Sequence, residues 1–390
     1  MSITVRSFAK INLGLKIGPA RPDGFHELRT IYQTLAVHDV VSVNVEVGSG
    51  IEIHCSDPRV PLDETNTCYA IAQRVLAGIT GREARLRTAG TAGPSTPLRS
   101  GRDDTRKGEL NGTAEAAPLQ SKIIIEIDKR LPVQGGLGAA SSNAVATMLA
   151  LERALDAKLS PQDKLRIAAE VGSDLPLFLI GGTVLGVGRG EEVYPLPELP
   201  PLDLVIVTPP VGVSTPKAFA QWDALVASPD AAAPAHDLQL TASRAAGTIN
   251  EFSASVFAWL NKGYPQAGPP TSPVFGLDGV EAGPASGVPA FGGDRAETPL
   301  LDLVRAGIEN DFERVVFPEY PELREVKRVL QREGALYASL SGSGSTLYGV
   351  FASAEEAQGA AERMRAAGHT AVATTTLTRA EYWKQLGASD

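Results

Sequence analysis

Cysteine is almost missing from this chain: 390 residues hold two, Cys55 and Cys68, and they are not in a CxxC spacing. That scarcity excludes a disulfide-stapled secreted scaffold and a cysteine-rich zinc site, so two reduced thiols in a cytoplasmic protein are expected. Basic excess is missing too. With 36 Lys and Arg against 45 Asp and Glu, the net charge is −9. Duplex nucleic acid is therefore not an expected partner, because its phosphates demand a basic face. Long apolar runs are also lacking. The longest, from Leu175 to Val187, is interrupted by Gly181, Gly182 and Thr183. It is too short to span a bilayer and reads as paired buried strands, so no membrane partner is expected. The amino-terminal stretch has no apolar core of a secretory leader. HExxH, GxSxG, GxxxxGK[ST] and GxGxxG are all absent. Metalloprotease, serine hydrolase, P-loop and dinucleotide-binding readings therefore find no support.

What is present suits a globular protein of two ordinary domains, with 43% apolar residues. Ile3 to Ile17 and Asp39 to His54 alternate as strands do, the second through Val41, Val43, Val45 and Val47. Asn66 to Ile79 has helical spacing, Lys122 to Asp128 alternates again, and Ala139 to Leu155 is a helix. Pro161 to Val171 is another helix, with Ser160 placed to cap it. A short buried strand covers Leu204 to Thr208. Helices are expected at Glu322 to Glu333 and Ala354 to Ala367, and strands around Ala335 to Leu340 and Thr346 to Phe351. Two stretches read as flexible insertions: about 82–121, which lacks aromatic and β-branched aliphatic residues, and 263–299, which is rich in Gly and Pro. The class is α+β, with mixed sheets and helices.

Chemistry concentrates in a few segments. Pro132 to Thr147 (PVQGGLGAASSNAVAT) joins a strand to a helix through Gly135, Gly136 and Gly138. Small residues allow close backbone approach to an anion, and the helix N-terminus adds free N–H groups and partial positive charge. Ser141 and Ser142 offer hydroxyls to phosphate or to the hydration shell of Mg²⁺. A second Gly/Ser loop, Ser341 to Ser345, lies between two strand-like runs; it fits an anion nest or a plain hairpin turn equally well. Lys10 and Asn12, two apart on a strand, share a face. Asp174, at the edge of a buried run, needs a partner and reads as a helix cap or a catalytic base.

Together these segments resemble the GHMP kinases, the family of galactokinase, homoserine kinase and mevalonate kinase. Pro132 to Thr147 resembles that family's phosphate-binding motif, and Ser341 to Ser345 its carboxy-terminal Gly-rich motif. Ala9-Lys10-Ile11-Asn12-Leu13, Arg21 to Leu28 (RPDGFHEL), Gly172 to Pro176 and Gly212 to Pro216 with Phe219 narrow the likeness to members whose alcohol acceptor carries a cytidyl group. The resemblance implies a two-domain GHMP kinase fold: a ribosomal protein S5 domain 2-like amino-terminal domain (1–185) and an α/β carboxy-terminal domain (186–390). The last strand is a candidate to return to the first domain. It implies transfer of the ATP γ-phosphoryl group, with Lys10 and Asp174 as the catalytic pair. ATP would lie against Pro132, Gly135, Gly136, Leu137, Gly138, Ala139, Ala140, Ser141, Ser142, Gly342, Ser343 and Gly344. Asn12, Phe25, His26, Arg189, Thr215 and Phe219 would hold the substrate, with Phe25 and Phe219 sandwiching the base and His26 reading its edge. Mg²⁺ would arrive with ATP rather than on protein ligands of its own. Ala139 and Ala140 stand where glycines are common in the family, and Asn143 where Asp is common. Monomer and homodimer are both compatible, as are a homoserine- or mevalonate-type acceptor and a catalytically silent binding protein.

Overall fold

The computed structural model describes residues 2–90, 121–133, 135–227 and 309–387; the side chains of 81–90 are not part of that description. The insertion expected at 263–299 lies outside the described residues, as does 91–120. The flanks of the first insertion are regular instead: α1 (Thr67–Gly90) runs on past the expected helix, and β4 (Ser121–Asp128) begins at once.

A six-stranded sheet forms the amino-terminal half. Its path is β3 (Gly50–Cys55), β4, β2 (His26–Val47), β5 (Thr183–Val187) and β6 (Glu192–Pro195), and β1 (Ile3–Ala20) lies along β2. β3 and β4 are parallel; the other pairings are antiparallel. Valines on β2 meet isoleucines on β4 in register: Val41 with Ile127, Val43 with Ile125, Val45 with Ile123. Such β-branched cross-strand pairs stabilise a sheet by roughly 0.2–1 kcal/mol each. Beneath them pack Ile71, Ala72 and Val75 of α1 and Ala144, Val145 and Met148 of α2 (Ala139–Ala154). α3 (Pro161–Val171) starts where expected: Ser160 Oγ accepts the Asp163 N–H at 3.1 Å, and Pro161 occupies the first turn.

The carboxy-terminal half is built on an antiparallel sheet in the order β10 (Ala371–Thr375), β7 (Asp203–Val207), β9 (Leu347–Phe351), β8 (Tyr337–Leu340). Alternation along β7 divides it between two cores. Val205 and Val207 face Leu323, Val326 and Leu330 of α7 (Pro321–Arg332) and Ala360 and Met364 of α8 (Ala354–Ala366). Leu204 and Ile206 face Ala9, Ile11 and Leu13 of β1, so the two sheets pack on each other. β1 thus feeds every core: Phe8 the first, Leu15 and Ile17 the second, and Ala9, Ile11 and Leu13 the one between the sheets.

Several expectations need correction. Asp39 to His54 is not one strand but the end of β2, a turn at Gly48, and β3. The apolar run from Leu175 is not a pair of strands. Leu175–Phe178 forms a short helix, α4, and left-handed Gly181 and Gly182 separate it from β5. The domain cut at 185/186 falls inside β5, and the first sheet keeps β6 through Pro195. The last strand, β10, pairs within the second sheet, and the chain just past it touches the first: Thr376 bridges Leu35, and the Leu377 N–H donates to the Thr34 carbonyl at 2.9 Å. What crosses back is α9 (Arg379–Leu386), where Tyr382 donates to the Phe178 carbonyl at 2.6 Å and joins the first core. No helix among the described residues is long and apolar enough to cross a membrane.

Candidate active site

One cavity of about 980 Å³ opens between the halves. Both Gly-rich segments wall it. The first runs Gly135 to Gly138 into the N-terminus of α2; the second is the Ser341–Ser345 turn joining β8 to β9. They are stitched together: Thr346 N–H donates to the Gly135 carbonyl at 3.0 Å, and Ser341 Oγ to the Gly136 carbonyl at 2.8 Å. Only glycine fits at Gly136. Its φ is +86°, and a Cβ there would lie 2.0 Å from the Ser341 carbonyl oxygen. The adjoining Leu137 carbonyl accepts the Lys10 N–H at 2.9 Å, which fixes β1 against the loop. Ala139 and Ala140 belong to the first turn of α2, where alanine is favoured, so their replacing glycine does not constrain the loop.

Asn143 has a local reason. Its Nδ2 donates at 3.0 Å to the buried Asp39 carboxylate, which also receives Lys129 Nζ (2.7 Å) and the Arg130 and Leu131 N–H groups (2.7 and 2.6 Å). This knot anchors the strand entering the phosphate loop. A carboxylate at 143 would oppose Asp39 at hydrogen-bonding distance.

Lys10 and Asp174 meet. Lys10 Nζ stands 3.2 Å from Asp174 Oδ2, with the lysine side chain buried and the aspartate side chain 32% exposed to the cavity. β1 supplies the lysine. Asp174 sits at the N-cap position of α4 but makes no capping bond, so its side chain is left for the cavity. Both carboxylate oxygens are oriented, because Tyr32 donates its hydroxyl to Oδ1 at 3.0 Å. Burial, with the Asp174 charge adding to it, pushes the Tyr32 hydroxyl well above its usual pKa, so it acts as donor only. Asn12 borders the cavity and is also engaged behind it. Its Oδ1 accepts from Lys10 Nζ at 2.7 Å, and its Nδ2 donates to Thr30 Oγ1 at 2.7 Å. It braces Lys10 from one side.

At the other end of the cavity are Phe25, His26, Arg189, Thr215 and Phe219. Phe25 and Phe219, expected to sandwich the base, both border the cavity. His26 stacks on Phe219 (centroids 4.7 Å apart, planes 11°), and Phe219 abuts Phe312 edge-on at 5.0 Å. Phe25 is 49% exposed, with the Arg189 guanidinium 4.8 Å from its ring centre. Arg189 in turn is held by Glu191 (Nε to Oε1, 3.0 Å). Thr215 Oγ1 lies 2.7 Å from Ser343 Oγ, tying the head of α5 (Thr215–Ala227) to the second Gly-rich turn.

All of the expected site residues border this cavity except Ser142, which is buried behind it. Sequence reasoning missed Tyr32, the Asp39 knot and the wall formed by Val60, Pro61, Thr65, Asn66 and Thr67. Tyr32 pairs with Asn12 across β1 and β2, a register that spacing along the chain does not give.

This architecture, with two interlocked Gly-rich turns beside a Lys–Asp pair, is that of the GHMP kinases, ATP-dependent phosphotransferases acting on small molecules. Family models described as "GHMP kinases N terminal domain" and "GHMP kinases C terminal" match residues 109–182 and 297–370. A 4-diphosphocytidyl-2-C-methyl-D-erythritol kinase from Solibacter usitatus is 31% identical over 89% of this chain and 80% of its own length. One from Moorella thermoacetica is 30% identical over 96% of this chain and 99% of its own. A crystal structure of 4-(cytidine 5'-diphospho)-2C-methyl-D-erythritol kinase superimposes with a TM-score of 0.57 at 24% identity, covering 96% of this chain and 99% of that one. The chain belongs to the 4-diphosphocytidyl-2-C-methyl-D-erythritol kinase family.

Proposed function

We propose that this enzyme transfers the γ-phosphoryl group of ATP to the 2-hydroxyl of 4-diphosphocytidyl-2-C-methyl-D-erythritol, giving the 2-phosphate and ADP in non-mevalonate isoprenoid synthesis. The observation that carries the reading is the 3.2 Å approach of Lys10 to Asp174 beside the glycine cradle. A neutral alcohol is a poor nucleophile. Asp174 accepts its proton as the O–P bond forms, which typically contributes 10²–10⁴-fold. The Lys10 ammonium stabilises the developing alkoxide and the transferring phosphoryl oxygens. Asn12 and Tyr32 hold these two groups from behind, so they need no reorganisation during the reaction.

The triphosphate rests on the loop at Gly135–Gly138 and the first turn of α2, with Gly342–Gly344 closing the other wall. Oxygen donors suit Mg²⁺, and Ser141, which borders the cavity at the head of α2, would offer its hydroxyl to the hydration shell of the ion. Mg²⁺ brought in with ATP would supply charge neutralisation to the phosphates. The cytidyl group occupies the aromatic end, against Phe25 and the His26–Phe219 stack.

The test is ADP release measured with the cytidyl alcohol, homoserine or mevalonate as acceptor, and with none. ADP is expected to form with the cytidyl alcohol only. Turnover of homoserine or mevalonate, or release at the same rate without acceptor, would refute the reading.

A further inference from the structure

α5 holds His26 in two ways at once. Phe219 and Asp223, four apart on that helix, lie on one face. Phe219 covers a face of the imidazole, and Asp223 Oδ1 sits 2.7 Å from its Nε2. A carboxylate only accepts hydrogen bonds, so Nε2 carries the proton. In the neutral ring the other nitrogen, Nδ1, is then a bare acceptor, and no residue among those described donates to it. His26 is otherwise buried, and it borders the cavity.

We infer that Asp223 is a positioning residue that fixes His26 as the Nε2–H tautomer, and that this tautomer makes the site select cytosine over uracil. The inference rests on the function proposed above and adds the origin of its base preference. Cytosine offers an exocyclic amine donor where uracil offers a carbonyl acceptor. Nδ1 takes a hydrogen bond from that amine, whereas the uracil oxygen would face a second acceptor. Pairing of this kind discriminates strongly, because the wrong base leaves polar groups unmatched. The Phe219 stack, backed by Phe312, keeps the ring plane from swinging away. Asp223 keeps the ring from turning over within that plane. Without it, the proton can move to Nδ1, which then presents a donor in place of an acceptor, and the uridyl compound is admitted.

The experiment compares wild type, Asp223→Ala and Asp223→Asn on the cytidyl substrate and its uridyl analogue. In Asp223→Ala the cytidyl-to-uridyl ratio of kcat/KM is expected to fall by about tenfold or more, through KM with kcat nearly unchanged. Asp223→Asn keeps a carbonyl to accept from Nε2–H and is expected to retain most of the preference. Nitrogen-15 NMR of the imidazole, assigned with His26→Gln, should show protonation at Nε2 only. A ratio unmoved in Asp223→Ala, an equal loss in Asp223→Asn, or a proton on Nδ1 would overturn the inference. Failure of the wild type to phosphorylate the cytidyl alcohol would overturn the functional reading instead. Calorimetric binding of CDP against UDP would then still read base preference, and equal affinities would overturn the role of Asp223 as well.

Discussion

Replacing Gly136 with alanine places one methyl group at the tightest point of the nucleotide cradle. The added Cβ would lie 2.0 Å from the Ser341 carbonyl oxygen and 3.0 Å from its carbon, at a φ of +86°. Relief requires the two Gly-rich turns to part by about 1 Å or more, because packed backbone has no slack to absorb the overlap. The left-handed backbone costs alanine roughly 1–2 kcal/mol. Parting the turns also strains the Ser341 Oγ to Gly136 and Thr346 N–H to Gly135 bonds, worth about 1 kcal/mol apiece. Misplacing catalytic groups by about 1 Å typically costs about 10²-fold in rate. The Lys10 N–H to Leu137 bond couples the loop to the catalytic lysine, so kcat and KM for ATP should both suffer. Gly334→Ala is the control: φ is +99° there, but nothing lies within 4 Å of the built Cβ. Steady-state ADP release and thermal melting are measured on both variants. Gly334→Ala should lose a few degrees of Tm and no activity, and Gly136→Ala should lose about 10²-fold in kcat/KM for ATP. If Gly136→Ala matched the control within twofold, the interlocked turns would not be the nucleotide cradle.

Asp174→Asn should lower kcat at least about 10²-fold with little change in Tm, read by ADP release and melting; near-normal turnover would remove Asp174 as the proton acceptor. Tyr32→Phe deletes the donor to Asp174 Oδ1. Its kcat should drop several-fold with both KM values nearly unchanged, a loss of about 1 kcal/mol of orientation that should vanish in the Asp174→Asn background. Burial pushes the Cys68 thiol up to about 12, while Cys55 is only half-buried. At pH 8 roughly one part in 10⁴ of Cys68 would be thiolate, so a thiol reagent should label Cys55 alone in the native protein and both cysteines in denaturant. Labelling of Cys68 at a comparable native rate would show that its environment opens.

Elements with strong periodicity were legible. Ser160 and Pro161 marked the start of α3, and the Ile123–Ile127 alternation marked β4, because local preference and tertiary burial agree there. The run from Leu175 misled because apolar content without clear periodicity does not separate a short buried helix from a strand; Pro176 at the first turn decided it. Lys10, Asp174 and the Gly-rich loops were singled out through their likeness to a known family; residue type and spacing alone left the second loop open to a hairpin turn and Asp174 to a helix cap. Tyr32, Asp39 and Asp223 were not, since each acts through a partner more than 90 residues away or on another element: Tyr32 on Asp174, Asp39 on Lys129, Asp223 on His26. Spacing along the chain carries no trace of such pairings. The His26–Phe219 stack was hidden for the same reason, because the helix at Thr215–Ala227 that turns Phe219 toward His26 was not foreseen.

β1 has a consequence for how the molecule comes apart. One continuous strand lends side chains to three separate apolar clusters. Pulling it from either sheet strips the other of its neighbours, so neither half retains a complete interior by itself. Heating should therefore melt the described architecture in one cooperative step, and the nucleotide-binding half should not survive as an independent fragment.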